Sequence, residues 1–169
     1  MGADNSRMEK AIVWLEDMPE EIQDHVSKLK REGFSILAAQ DFVRLDEHLK
    51  TVISHKATIT ACVIILDIML ETVNNLSAYY PTVRNARTVG GYAAGLIFLE
   101  RVLTPNNENG HIYKDVSDVP VILYSKRTLT AEEKSRVEAL EKQSGRRIRL
   151  AEKATVKSMR TFIHDALGI

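Results

Sequence analysis

Short apolar runs alternate along this chain with segments in which apolar residues recur every three or four positions. The apolar runs cover about residues 11–17, 34–39, 61–67, 119–125 and 147–151. Their length and their β-branched residues predict strands, and the spacing between them predicts helices. Strands that alternate with helices in this way predict an α/β fold, in which helices cover both faces of a doubly wound, five-stranded parallel sheet.

The segments between the runs carry helix signals at their ends. Pro19 lies in the first turn of the first predicted helix, and Gly33 follows its end. Asp41 is a candidate N-cap of the second helix, and Thr130 with Glu133 forms a capping box before the fourth. The apolar stripes are Ile22, Val26 and Leu29 in the first helix, Phe42, Leu45, Leu49 and Val52 in the second, and Val156, Met159, Ile163 and Ala166 in the last.

Two polar stretches interrupt the alternation. Residues 71–91 are rich in Asn, Thr and Tyr, which predicts a long insertion between the third strand and a helix at 93–103. Residues 104–118 predict a second surface excursion. Tyr79 and Tyr80 either anchor a partner or pack the insertion onto its own domain, and we favour the second interpretation. We assign residues 1–9 to an N-terminal tail and residues 10–169 to one domain.

Composition narrows the classes of partner. Lys and Arg total 23, as do Asp and Glu, so no net charge attracts the chain to nucleic acid or to an anionic membrane. We interpret Arg146, Arg147 and Arg149 as solvated. Cys62 is the single cysteine, which excludes an internal disulfide and a zinc site built on several thiolates, and we expect it to be buried. With no apolar signal segment or membrane span, we expect a cytoplasmic protein.

Polar side chains stand where four of the predicted strands end. Glu16 and Asp17 follow the first strand, Asp67 ends the third, Ser125 ends the fourth, and Lys153 lies just beyond the fifth. The carboxyl ends of parallel strands meet at one edge of the sheet, so we expect these groups to converge there. Carboxylates, a hydroxyl and an ammonium group suit a divalent cation together with a phosphoryl group.

This set of groups predicts phosphoryl transfer. With Mg²⁺ held by the acids, Asp67 can attack phosphorus and become an aspartyl phosphate. Lys153 can then pair with the phosphoryl oxygens, and Ser125 can donate a hydrogen bond to another oxygen. Taken singly, each residue also fits a structural role, such as Asp67 capping the next helix.

Several segments together resemble the receiver domain of two-component response regulators, over residues 10–167. The resemblance implies a flavodoxin-like (βα)5 fold with strand order 2-1-3-4-5. It also implies an acceptor of phosphate with slow autodephosphorylation, rather than an enzyme with steady turnover. The matching segments are residues 14–17, 66–70, 95–100, 119–125 and 152–153.

The resemblance also implies roles for individual residues. Glu16 and Asp17 would hold Mg²⁺ together with Asp67 and the backbone carbonyl of Met69. Asp67 would accept phosphate from a histidine kinase or a phosphotransfer protein. The remaining two roles would be the switch hydroxyl, at Ser125, and the phosphate-pairing cation, at Lys153.

Four features depart from the receiver pattern. The segment between Asp67 and the third helix is roughly twenty residues longer than in the family. Lys126 stands where a very small residue is usual, and it would either crowd the phosphoryl group or add a charge contact to it. Ala154 replaces a cis proline, so we predict a trans peptide bond there. Leu150 replaces the switch aromatic, so the output mechanism is expected to differ.

Two functions remain open from the sequence. The first is a phosphoaccepting receiver that signals through contact with an unknown output protein or by self-association as a homodimer, through the fourth and last helices. The alternative is a degenerate receiver that binds proteins without phosphorylation. An aspartate-nucleophile hydrolase of the haloacid dehalogenase type is disfavoured because Met69 stands where its general acid is required. A nucleotide site is disfavoured because Glu16, Asp17 and Glu20 would repel phosphate.

Overall fold

A five-stranded parallel sheet runs through the described part of this computed structural model, which comprises residues 9–70, 80, 93–104 and 113–169. The strand order is β2-β1-β3-β4-β5. The predicted flavodoxin-like α/β fold with order 2-1-3-4-5 is therefore confirmed. The N-terminal tail up to residue 8 and most of the predicted insertion lie outside the described residues. The strands are β1 (Lys10–Leu15), β2 (Ser35–Ala39), β3 (Ala61–Asp67), β4 (Val121–Ser125) and β5 (Ile148–Glu152).

The helices follow the predicted order, and their ends carry the predicted caps. The Asp41 carboxylate accepts a hydrogen bond from the Arg44 N–H at 2.8 Å, and Thr130 and Glu133 form both bonds of a capping box. No helix in the described ranges is both long and apolar enough to cross a membrane. The helices are α1 (Gln23–Arg31), α2 (Phe42–Ser54), α3 (Ala94–Phe98, extended by a wide turn at Leu99–Leu103), α4 (Ala131–Ser144) and α5 (Val156–Leu167), with short 3₁₀ turns at Pro19–Ile22 and Lys114–Val116.

The sheet separates two apolar layers. Alternate residues of the central strand β3 enter each layer, Ile64 and Leu66 on one face and Val63 and Ile65 on the other. Helices α2, α3 and α4 cover the first face, and α1 and α5 cover the second. Burial on both faces explains why β3 is a continuous apolar run rather than an alternating one.

The stretch that we predicted to be a surface excursion instead contributes to the core. Tyr113 and Val116 are buried, with 1% and 0% exposure. The Tyr113 hydroxyl donates to Asp46 on α2 at 2.6 Å and lies 2.9 Å from the Tyr80 hydroxyl. Tyr80 also packs edge-to-face on Phe42, so at this residue the insertion packs onto its own domain, as we favoured. Tyr79 lies outside the described residues.

Arg146 is a further correction, because it is buried rather than solvated. Its guanidinium donates to the carbonyl oxygens of Ser117 at 2.9 Å and Val116 at 2.6 Å. Burial lowers the pKa of this side chain to about 10. The arginine satisfies two backbone acceptors where the chain enters β4, a role that an isolated run of basic residues does not reveal.

Candidate functional site

Three carboxylates meet at the carboxyl edge of the sheet. Asp67 is the last residue of β3, and Glu16 and Asp17 follow β1, its neighbour. The Glu16 N–H donates to the Ala39 carbonyl at 2.9 Å, which extends the β1–β2 pairing to this residue. One carboxylate oxygen from each of the three acids lies within 4.8 Å of the others. The structure thus brings together the acids that we predicted would converge.

Two of these carboxylates are buried and only half satisfied. Glu16 and Asp67 are each 1% exposed. One oxygen of Glu16 accepts the Met18 N–H at 3.0 Å, and one oxygen of Asp67 accepts the Met69 N–H at 2.9 Å. The other oxygens, Glu16 Oε2 and Asp67 Oδ2, are buried and accept no hydrogen bond within the described structure. Buried oxygens without donors, grouped on one edge, fit a hard divalent cation such as Mg²⁺.

Burial changes the protonation of this pair. Burial and then the neighbouring Asp67 carboxylate raise the pKa of Glu16 to about 9. Burial also raises the pKa of Asp67 to about 6, although the neighbouring Glu16 side chain, then the Met69 N–H and then Lys126 favour its charged form. Both shifts favour retention of a proton by this pair of carboxyl groups when no cation is present. An ionised Asp67 is the form that a nucleophile requires.

Lys126 brings a positive charge into the same pocket. Its Nζ lies 3.6 Å from Glu16 Oε2 and 4.0 Å from Asp67 Oδ2, and it forms a closer ion pair with Glu21. Burial lowers the pKa of Lys126, but these three carboxylates outweigh burial and raise it. We expected this lysine to crowd the phosphoryl group or to add a charge contact to it, and that expectation stays a prediction. In the structure its ammonium instead pairs with carboxylates.

The other two predicted site residues are placed differently. The Ser125 side chain is fully buried, and its hydroxyl donates to the Arg127 carbonyl at 2.8 Å and accepts the Arg127 N–H at 3.1 Å. The Lys153 N–H donates to the Ser125 carbonyl at 2.6 Å, which ties the end of β5 to the end of β4. The Lys153 side chain is exposed. The bond to Ala154 is trans, as predicted.

Gly95 is a residue whose part in the site we did not predict, although it lies in one of the matching segments. A Cβ at this position would lie 2.2 Å from the Asp67 carbonyl oxygen and 3.2 Å from the Ile68 Cα. The Gly95 N–H donates to the Ile68 carbonyl at 3.3 Å. Helix α3 therefore rests directly on the backbone that carries Asp67, and only glycine permits this approach. A glycine at a helix start was the available signal.

The loop after β4 is held by charged groups that the sequence analysis did not assign to the site. Arg127 donates to both Glu133 oxygens, at 2.9 and 2.6 Å, and lowers the pKa of Glu133 to about 2. The Glu152 carboxylate accepts the Leu129 N–H at 3.1 Å. These contacts fix the backbone on the α4 side of Lys126, at the rim of the acidic pocket.

Comparison with known proteins finds solved structures with a similar fold but no match by sequence. No protein family model matches the chain, and no curated protein does. A response regulator receiver domain from Clostridium thermocellum superposes with a TM-score of 0.55 at 15% identity, covering 94% of each chain. A CheY-like receiver domain from Methanospirillum hungatei gives 0.55 at 13% identity, covering 95% of this chain and 94% of that one.

A third similar structure is a Burkholderia pseudomallei response regulator with a phosphorylated aspartic acid, a calcium ion and citrate. It has a TM-score of 0.50 at 16% identity, and the match covers 92% of this chain and 66% of that one. At such identities the similarity establishes a shared architecture. The chain has the fold of response regulator receiver domains.

Proposed function

We propose that this chain is a phosphoaccepting receiver that takes phosphate from a histidine kinase or phosphotransfer protein onto Asp67, with Mg²⁺, and signals by protein contact in the cytoplasm. The observation that carries the proposal is the buried Asp67 Oδ2. This oxygen accepts no hydrogen bond in the described structure and lies beside Glu16 and Asp17, in a fold shared with receiver domains. An oxygen in this position is suited to bond with phosphorus and to share a cation.

The two carboxylate oxygens of Asp67 have different contacts and therefore different proposed roles. The Met69 N–H holds Oδ1 at 2.9 Å, so the carboxylate is oriented with Oδ2 as the attacking atom. In transfer from phosphohistidine, the bond from Oδ2 to phosphorus forms while the phosphorus–nitrogen bond breaks. The electron pair of that bond stays on the imidazole nitrogen of the donor. The nucleophile is the ionised carboxylate, which attacks without a base to activate it.

The acids also fit the cation that this chemistry needs. Glu16, Asp17 and Asp67, with the backbone carbonyl of Met69, are the residues that we propose to hold Mg²⁺. When bound, the cation would neutralise charge so that an anionic phosphoryl group can approach the carboxylates. Ser125 and Lys153 keep their proposed roles, hydrogen bonding to the phosphoryl oxygens and pairing with their charge. Ser125 must first release the Arg127 backbone.

The experiment is phosphorylation by a small-molecule donor. The purified chain is incubated with acetyl phosphate and Mg²⁺, and intact-mass spectrometry detects one added phosphoryl group. We expect the modification in the wild type and in Asp24→Asn, a matched change on the exposed face of α1, and its loss in Asp67→Asn. Unmodified wild-type protein, or modified Asp67→Asn, would contradict the proposal.

A degenerate receiver is the second candidate, and the position of Lys126 favours it. A lysine ammonium within 4.0 Å of both Glu16 Oε2 and Asp67 Oδ2 can balance the acidic pocket without any metal. In that case the chain would bind its partners regardless of phosphorylation. Absence of the added mass under every donor and metal condition, in a folded protein, would favour this candidate over the first.

A further inference from the structure

The Lys126 ammonium lies beside two of the acids that the proposed function assigns to the metal. Its ammonium lies 3.6 Å from Glu16 Oε2 and 4.0 Å from Asp67 Oδ2. These are the two buried oxygens that accept no hydrogen bond within the described structure. The lysine is therefore the charge partner of the same atoms that would coordinate a divalent cation.

From this geometry, and on the basis of the proposed function, we propose that Lys126 is a tethered counter-ion that a divalent cation must displace from Glu16 and Asp67 in order to bind. Two cations cannot share these oxygens at contact distance without strong mutual repulsion. The lysine would then set a low metal affinity and keep the metal-free site neutralised. It is a specificity-determining residue of the site rather than a catalytic one.

Glu21 provides a place for the displaced ammonium. This carboxylate lies in the turn Pro19–Ile22, just beyond the acids, and its side chain is 36% exposed, whereas that of Glu16 is 0% exposed. Lys126 already forms an ion pair with Glu21. A movement of the side chain toward the rim would therefore free the buried oxygens while the ammonium keeps one ion pair.

The backbone around Lys126 is held on both sides, so the exchange requires side-chain movement alone. On one side the Ser125 N–H and C=O belong to β4, and its hydroxyl closes a turn with the Arg127 backbone. On the other side the Arg127 guanidinium forms two hydrogen bonds with Glu133 at the start of α4. With the root of the side chain held, the flexible methylene stem of Lys126 can carry the ammonium between the two positions.

The test is metal affinity in a variant that keeps the stem and removes the charge. Lys126→Met and the wild type are titrated with Mn²⁺ alone, and free Mn²⁺ is followed by electron paramagnetic resonance. We expect Lys126→Met to bind at least about tenfold more tightly, a change of about 1.4 kcal/mol. Lys30→Met, the matched change on the exposed surface of α1, should stay within about twofold of the wild type.

The outcomes separate this inference from the proposed function. If the wild type binds Mn²⁺ and Lys126→Met binds it equally or more weakly, the proposal that Lys126 competes with the metal is overturned. The receiver proposal is then left intact. No Mn²⁺ binding by either protein overturns the metal-dependent function itself. A second measurement needs no variant: side-chain ammonium NMR of the wild type should show the Lys126 signal shift during Mg²⁺ titration, and an unshifted signal at metal saturation would also overturn the inference.

Discussion

Gly95→Ala tests how far the candidate site depends on the close packing of α3 against the end of β3. The added Cβ would lie 2.2 Å from the Asp67 carbonyl oxygen, 2.9 Å from its carbonyl carbon and 3.2 Å from the Ile68 Cα. All three are backbone atoms, so no rotamer change relieves the overlap, and the helix and strand must separate by about 1 Å. Overpacking of this kind typically costs about 1–3 kcal/mol, which we expect as the loss in the free energy of unfolding.

The same displacement should damage the site. Asp67 shares a space with Glu16 and Asp17 in which one oxygen from each lies within 4.8 Å of the others. Mg²⁺ demands a near-ideal arrangement of ligands, with distances held to about 0.2 Å. A shift of the Asp67 backbone several times larger should therefore weaken Mn²⁺ or Mg²⁺ binding by at least about tenfold, about 1.4 kcal/mol, and slow phosphorylation by acetyl phosphate.

Gly33→Ala supplies the control for this prediction. Gly33 adopts a backbone conformation that disfavours alanine, with φ of +89°, but nothing lies within 4 Å of an added Cβ. It should lose about 1–2 kcal/mol through backbone strain alone and bind Mn²⁺ like the wild type. Denaturant unfolding and Mn²⁺ titration are measured for both variants. If Gly95→Ala binds Mn²⁺ as tightly as the wild type, the idea that α3 positions Asp67 through its backbone is refuted.

Two further predictions concern buried polar groups. In metal-free protein, the pKa of Glu16 is about 9 in the folded state and about 4.5 in the unfolded chain. The free energy of unfolding therefore falls as pH rises from the lower value to the higher one, by at most about 1.4 kcal/mol per pH unit. Glu16→Gln should therefore equal the wild type at pH 4 and exceed it at pH 8 in urea unfolding without metal, and identical wild-type and variant curves at pH 8 would contradict this. Tyr113→Phe removes the hydroxyl that donates to Asp46 at 2.6 Å and should cost about 1–2 kcal/mol in the same assay. An unchanged midpoint would show that this hydrogen bond contributes nothing net.

The order of elements followed from the sequence because each strand and helix has a local pattern. Strand β3 was predicted at its observed bounds, Ala61–Asp67, since burial on both faces requires an uninterrupted apolar run. The caps at Asp41 and Thr130 followed from short-range signals in the same way. The convergence of the acids then followed from topology alone, because parallel strands end at a common edge.

What the sequence did not reveal depends on contacts between distant residues. Arg146 is buried because two carbonyl oxygens, those of Val116 and Ser117, accept its hydrogen bonds. Tyr113 enters the core because Asp46 on α2 meets its hydroxyl. Neither acceptor is visible in a local window, and polar neighbours made both stretches resemble solvated surface.

Lys126 and Lys153 show the same limit inside the site. Both lysines follow a strand that ends at the carboxyl edge of the sheet, where the acids lie. The resemblance to receiver domains assigned the pairing with phosphate to Lys153. The direction of a four-carbon side chain depends on the groups around it. The carboxylates of Glu16, Glu21 and Asp67 surround the Lys126 ammonium, whereas the Lys153 side chain is exposed.

The placement of these two lysines links the proposed function to its alternative. If phosphate enters, the charge of Lys126 must move away from the Asp67 oxygen that attacks, while exposed Lys153 is available to pair with the phosphoryl group. If the chain is degenerate, Lys126 stays and replaces the metal permanently. Removing the Lys126 charge therefore has opposite consequences. In the first case the site gains metal affinity and keeps its phosphate chemistry. In the second case Glu16 and Asp67 lose the ammonium that pairs with them, and the fold loses stability.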